Sequence, residues 1–126
     1  MRVVALRAED GREVCGECAV AESAFARMRG LLGRRGLVSG EGLLVRPASS
    51  VHTFFMRFAI DVVFLAADGE VLKIASRVPA WRAVACKGAA AVLELPAGEA
   101  ERQGFELGDS VVLPPRRRRF PRIALA

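Results

Sequence analysis

An Asp-Gly step between two β-branched, apolar-rich runs constrains the fold of this chain more than any other feature. The runs are residues 60–65 and 70–75, and Asp68-Gly69 lies in the short connection between them. This dipeptide favours the tight turn of an antiparallel hairpin, because glycine tolerates the positive φ that such turns require. In the first run, apolar residues occupy both alternating faces, which predicts a strand that is covered on both sides.

Further short strands are predicted along the chain, separated by Gly, Pro and Asp. They cover residues 3–6, 14–20, 43–45, 51–58, 89–95 and 110–113. Helical spacing is confined to two places. Together these patterns predict a mainly β fold, a small closed barrel or sandwich of about seven or eight short strands with one or two short helices.

The first of the two helical segments follows Ser23, which is a favourable N-cap residue. Phe25, Met28 and Leu32 recur there at helical spacing, and glycines end the run. The second helical segment covers one or two turns within residues 97–103 and is stopped by Gly104.

The chain length of 126 residues accommodates one hydrophobic core and not two. No apolar run approaches the roughly 18 residues that a membrane-spanning helix needs. The N-terminal apolar run is also too short for a secretory signal, so we expect a cytoplasmic protein. Residues 1–115 are predicted to form a single β-rich domain, and residues 116–126 a flexible basic tail.

The excess positive charge lies in that tail. Five of the 19 Lys and Arg residues follow Pro115, so the remaining 14 balance the 14 Asp and Glu residues of the body. The predicted consequence is weak contact with nucleic acid or anionic membrane lipid through Arg116, Arg117, Arg118 and Arg119. The alternative is a solvated terminus that only aids solubility.

Several blocks in the middle of the chain resemble a known family. They are residues 27–34 (RMRGLLGR), 42–45 (GLLV), 50–57 (SVHTFFMR) and 60–64 (IDVVF), and shorter similar blocks follow as far as residue 113. In this order they resemble the uncharacterised prokaryotic family called domain of unknown function 192 (DUF192). The resemblance implies a small, mainly β, single-domain protein, and it implies no established reaction, cofactor or substrate.

The residues from 50 to 82 contain the best candidates for a ligand site. We predict that Thr53, Arg57, Trp81 and Arg82 line a small polar pocket for a carboxylate, phosphate or sugar. A guanidinium group offers a planar fork to anions, and an indole ring offers a stacking face. The function that follows is a non-catalytic accessory domain that binds a ligand or a partner.

Two other interpretations of this region stay open. In the structural one, Arg57 forms an ion pair with Asp61 or Glu94, and His52 bonds a backbone carbonyl. In the enzymatic one, a hydrolase-like site uses His52 and Asp61 as acid and base on a small anionic or sugar-like substrate. No nucleophile elbow, glycine-rich phosphate loop or second histidine accompanies these residues.

The three cysteines, Cys15, Cys18 and Cys86, are interpreted as apolar packing residues. A structural zinc site needs four ligands, so Cys86 and His52 would have to converge on the Cys-x-x-Cys pair. That pair falls in a predicted strand or turn and not at a helix N-terminus, which disfavours redox catalysis. We therefore predict no metal and no cofactor.

Overall fold

Nine β-strands and a short α-helix are present in a computed structural model that describes residues 1–23, 26–27, 31 and 34–116. The elements are β1 (Arg2–Ala8), β2 (Glu13–Ala21), β3 (Glu41–Val45), β4 (Ser50–His52), β5 (Ile60–Leu65), β6 (Val71–Val78), β7 (Ala83–Ala85), β8 (Ala91–Pro96), α1 (Glu99–Gln103) and β9 (Val111–Val112). The predicted mainly β fold is confirmed. Strand β7 has no counterpart among the strands predicted from the sequence.

Seven of the strands form one curled sheet in the order β6-β5-β8-β3-β2-β1-β9. Neighbouring strands run antiparallel, except for the parallel pair β2 and β3. The two edges of the sheet meet at one end, where Val71 N–H donates to Asp109 C=O (2.7 Å) and Val111 N–H donates to Gly69 C=O (2.9 Å). The sheet therefore curls into a half-barrel.

The Asp-Gly turn joins β5 to β6 as predicted, and two separate features of the structure require glycine at position 69. Gly69 has a φ of 95°, in the left-handed region that favours glycine. A Cβ atom on Gly69 would also lie 1.9 Å from the Val111 carbonyl oxygen, so any side chain would push the sheet edges apart. The same residue thus makes the hairpin and lets the half-barrel curl shut at this end.

The hydrophobic core has two parts, one on each face of the sheet. All six residues of β5 are buried, which confirms the prediction of a strand covered on both sides. Val63 and Leu65 pack in one cluster, whereas Ile60, Val62 and Phe64 pack in the other. Because successive side chains of β5 point to opposite faces of the sheet, this one strand contributes to both parts of the core.

Both predicted helical segments can be compared with the structure. Ser23 acts as the predicted N-cap, since its hydroxyl accepts from the Ala26 N–H at 3.1 Å. Phe25, Met28 and Leu32 lie outside the described residues. The second segment is confirmed as α1, which ends at Gly104 in a left-handed conformation.

The predicted strand over residues 51–58 is wrong beyond His52. It is replaced by a turn, in which Met56 N–H donates to Thr53 C=O and Phe55 has a φ of 66°. Met56 is buried while Phe54 is exposed, so the two do not share a strand face as a regular alternation would require. The short strand β4 pairs instead with β7 in a separate two-stranded ribbon.

Among the described residues, no helix has the length and the apolar character that crossing a membrane requires.

Candidate functional site

The ribbon of β4 and β7 presents two loops at one end. Its register pairs Ser50 with Ala85 and His52 with Ala83. One loop, residues 53–57, follows β4, and the other, residues 79–82, precedes β7. Antiparallel pairing therefore places the two loops side by side.

Thr53 fastens the two loops together. Its backbone N–H donates to Arg82 C=O at 2.8 Å, and its C=O accepts from Trp81 N–H at 3.0 Å. Its hydroxyl donates to Pro79 C=O at 2.6 Å and accepts from Arg82 N–H at 2.9 Å. Because Thr53 is fully buried, its side chain positions the loops from inside the protein, in a place where a pocket wall was predicted.

Three exposed aromatic residues, Phe54, Phe55 and Trp81, form what we call the aromatic ridge. Phe54 stacks on Trp81 with ring centroids 5.8 Å apart, and Phe55 meets Trp81 edge-on at 4.6 Å. His52 extends the stack, since its ring lies 4.7 Å from that of Phe54. Phe55 and Trp81 are 68% and 56% exposed, so much of this apolar surface faces solvent.

The backbone of the ridge is strained. Phe55 and Trp81 have φ values of 66° and 65°, a left-handed conformation that bulky side chains rarely adopt. Such conformations cost about 1–3 kcal/mol each and persist only where the surrounding structure enforces them. The hydrogen bonds of Thr53 to the tryptophan loop supply part of that enforcement.

Two arginines flank the aromatic ridge. Arg57 and Arg82 are both exposed, and Arg82 directly follows Trp81. The Arg82 guanidinium contacts the Trp81 carbonyl oxygen at 3.4 Å. The structure therefore brings Trp81 and Arg82 together with the loop that carries Arg57, whereas Thr53 lies beneath them.

Asp61 is a buried structural residue in this arrangement. Its carboxylate oxygens accept the backbone N–H groups of Arg77 (2.8 Å), Gly98 (3.0 Å) and Ala100 (2.8 Å). It thereby holds the irregular end of β6 and the start of α1. The predicted ion pair of Arg57 with Asp61 is wrong, because backbone donors surround the carboxylate.

His52 and Asp61 have separate hydrogen-bond partners, so the predicted acid–base pair is not assembled. His52 is exposed on the ribbon, and its Nδ1 accepts the Phe54 backbone N–H at 3.3 Å. Asp61 is fully buried on β5. The predicted bond from His52 to a backbone carbonyl is replaced by this acceptor role.

Glu94 pairs with Arg27 and not with Arg57, which corrects the other predicted ion pair. Arg27 Nε donates to the two Glu94 carboxylate oxygens at 3.0 and 3.2 Å, and Nη2 donates to one of them as well. Both side chains are buried. Burial raises the pKa of the Glu94 carboxyl, and the adjacent guanidinium opposes that rise. No sequence motif connects the two residues, which explains why the prediction missed Arg27.

Cys15 and Cys18 are buried in β2, as their interpretation as packing residues requires. A bulge in β2 between the two residues lets both thiols enter the core. The contact between the thiols, together with burial, raises the pKa of Cys18, whereas the same contact lowers the pKa of Cys15. Within the described ranges, no three His, Cys, Asp or Glu side chains are grouped to hold a metal ion.

Comparison with known proteins supports the resemblance noted in the sequence. The model of the DUF192 family, described as Uncharacterized ACR, matches residues 5–113. The chain belongs to the DUF192 family. A UPF0127 protein of Pyrococcus furiosus is 35% identical over 108 residues, which cover 82% of this chain and 92% of that protein. A UPF0127 protein of Thermococcus sibiricus is 32% identical over 107 residues, covering 80% and 68%.

Solved structures share the fold of this DUF192 domain. A protein of unknown function from Novosphingobium aromaticivorans superposes with a TM-score of 0.77 at 25% identity, covering 88% of this chain and 85% of that one. A protein from Sinorhizobium meliloti, described as a suggested transcription regulator, gives a TM-score of 0.74 at 23% identity, with coverage of 88% and 96%. These similarities show a shared fold.

Proposed function

We propose that this DUF192 domain is a non-catalytic binding module that docks on a protein partner through the aromatic ridge. The observation that carries the proposal is the combination of exposure and strain at Phe55 and Trp81. A folded chain gains nothing by itself from holding bulky apolar rings in water on a strained backbone. Backbone strain of this kind is concentrated at functional sites, where it orients side chains in advance of binding.

The composition of the surface supports a protein partner. Trp and Arg are enriched among the residues that dominate binding free energy at protein interfaces, and the ridge is flanked by Arg57 and Arg82. The expected complement is an apolar pocket with an acidic rim. Fixed ring geometry also favours a partner of defined shape over a fluid lipid surface, which does not require a rigid left-handed backbone.

A hydrolytic role receives less support from the same geometry. A general base needs an orienting partner within hydrogen-bond reach, and the Nδ1 of His52 is occupied by a backbone donor instead of a carboxylate. Both carboxylate oxygens of Asp61 accept hydrogen bonds from backbone N–H groups. The geometry therefore supports the binding role better than the hydrolytic one.

The basic tail provides a separate, electrostatic proposal. Residues 117–126 lie outside the described residues, so the predicted contact of Arg117, Arg118 and Arg119 with anionic polymers stays a prediction, as does the division at residue 115. Its signature is retention on heparin or anionic vesicles that falls steeply with salt. Deleting residues 117–126 tests it: unchanged retention would contradict it.

The docking proposal is tested by photo-crosslinking followed by binding of the purified partner. A photoreactive amino acid replaces Phe55 in one variant and Leu107 in a control variant, because the two positions are equally exposed (68% and 67%). We expect a specific protein to be captured at position 55 and not at position 107. The identified protein is then purified and titrated against the unmodified domain.

The titration has a matched set of variants. We expect Phe55→Gly to weaken binding of the purified partner by about tenfold or more, the effect typical of a buried interface aromatic. Leu107→Ala should leave binding unchanged. The proposal fails if both variants bind like the unmodified domain, or if anionic phosphatidylserine vesicles and not the protein engage the ridge.

A further inference from the structure

A cavity of about 520 Å³ lies beside the ribbon, and none of the aromatic ridge residues belongs to its lining. Its walls come from the end of β3, the segment leading into β4 and the turn before β8. Its polar side chains are those of Arg27, Ser49, Ser50, His52 and Arg116. The volume falls within the range of about 300–1,000 Å³ that is typical of small-molecule sites.

The lining of the cavity favours an anion. Hydroxyl, imidazole and guanidinium groups supply the polar part, and no carboxylate is found among the described residues of the lining. Glu94 lies behind Arg27, fully buried, and neutralises its charge. The net positive charge of the described lining therefore comes from Arg116. The hydroxyls of Ser49 and Ser50 make no hydrogen bond within the part of the chain that the structure describes.

Arg116 is brought to the cavity by a fastened backbone. The carbonyl oxygen of Pro115 accepts Nη2 hydrogen bonds from both Arg2 and Arg46, each at 3.0 Å. Arg46 is buried, and desolvation lowers the pKa of its guanidinium. These two bonds fix the chain immediately before Arg116, so its presence at the cavity follows from the fold.

The remaining walls are apolar. Val45, Val51, Ala89 and Ala90 are among them, and they provide surface for an uncharged organic group. A ligand that satisfies both parts of the lining has a compact anionic head and a small apolar body. Donors converging from several side chains suit the three oxygens of a phosphate better than a planar carboxylate, which is best matched by a free arginine fork.

We propose that this cavity binds a small organic phosphate monoester. The phosphate lies near Arg116, His52 and the two serine hydroxyls, and the organic group lies against the valine and alanine wall. This site goes beyond the docking function of the aromatic ridge, because neither Phe55 nor Trp81 lines the cavity. The two functions can therefore fail independently.

The test is an NMR titration of the isotope-labelled protein with phenyl phosphate, benzoate and benzyl alcohol as parallel probes. We expect phenyl phosphate to give saturable shifts at the amides of residues 48–52 and 89–90, and to bind more tightly than the other two. Inorganic phosphate should compete. Arg116→Gln should weaken binding about three- to fivefold, the effect of losing one partly solvated charge contact.

Arg35→Gln is the matched control, since Arg35 is an exposed arginine that does not line the cavity. Trp81→Asn alters the ridge and should leave phenyl phosphate binding intact, which separates this site from the docking surface. The proposal is overturned if the shifts do not saturate, if benzoate or benzyl alcohol binds as tightly, or if Arg116→Gln binds no more weakly than Arg35→Gln.

Discussion

Replacing Phe55 by glycine and by alanine measures the strain stored in the aromatic ridge. Both substitutions remove the same ring, most of which is exposed, so their difference isolates the backbone. At a φ of 66°, a residue with a Cβ atom pays about 1–2 kcal/mol that glycine does not. Glycine in turn loses about 0.5–1 kcal/mol through its greater freedom in the unfolded chain.

The balance predicts that Phe55→Gly is roughly 0.5–1 kcal/mol more stable than Phe55→Ala. Phe54 is the internal control, because it is adjacent, exposed and without a positive φ. At position 54 the order should reverse, with alanine more stable than glycine by about 0.5–1 kcal/mol.

Urea denaturation followed by far-ultraviolet circular dichroism gives the four free energies of unfolding. The reversal between neighbouring positions is the predicted result. If alanine proves as stable as glycine at position 55, or if the order is the same at both positions, the ridge is not strained and the main support for the docking proposal is lost.

Three further predictions concern buried polar groups, each measured by urea denaturation. Thr53→Val should cost about 1–3 kcal/mol because it leaves backbone groups of the tryptophan loop unpaired, and Thr53→Ser, which keeps the hydroxyl, should cost much less. Asp61→Asn should cost about 2–4 kcal/mol, because one amide oxygen cannot accept three backbone donors; an unaffected variant would contradict that structural role. Arg27→Met should cost about 3–5 kcal/mol near neutral pH by stranding the buried Glu94 charge. In the variant, the pKa of the buried Glu94 carboxyl lies above its ordinary value of 4.5, so the folded state takes up a proton at a higher pH than the unfolded chain does. The loss in free energy of unfolding, relative to the unmodified protein, should therefore shrink as the pH falls toward 4.5. A loss that does not change with pH would refute this.

The parts of the fold that local sequence determines were predictable. The hairpin of β5 and β6 rests on an Asp-Gly turn within a few residues of both strands, and the two-sided burial of β5 follows from its own apolar pattern. The N-cap role of Ser23 and the end of α1 at Gly104 are likewise local effects. In each case the residues that decide the structure are neighbours in sequence.

The ribbon was not predictable in this way. The aromatic, β-branched run after Val51 has high strand propensity, and nothing in it signals the left-handed conformation of Phe55. That conformation depends on hydrogen bonds from Thr53 to a loop almost 30 residues away. Tertiary contacts therefore override local preference at the place where the candidate site lies.

The same reasoning explains the misassigned ion pairs. Arg27 and Glu94 are 67 residues apart, and only the assembled sheet brings them together. Arg57 was the nearer candidate in sequence and proved to be exposed. One sequence signal did point to exposed aromatic residues. Charged residues follow both segments, Arg57 after the Phe-Phe pair and Arg82 after Trp81, which is unusual for aromatic residues of a core.

Acrylamide quenching of Trp81 fluorescence tests the docking account most directly, because Trp81 is the sole tryptophan and the chain has no tyrosine. We predict efficient quenching in the free domain, where the indole is 56% exposed, and a severalfold reduction once the purified partner is bound. An indole that is shielded in the free domain, or equally accessible in the saturated complex, would contradict the account.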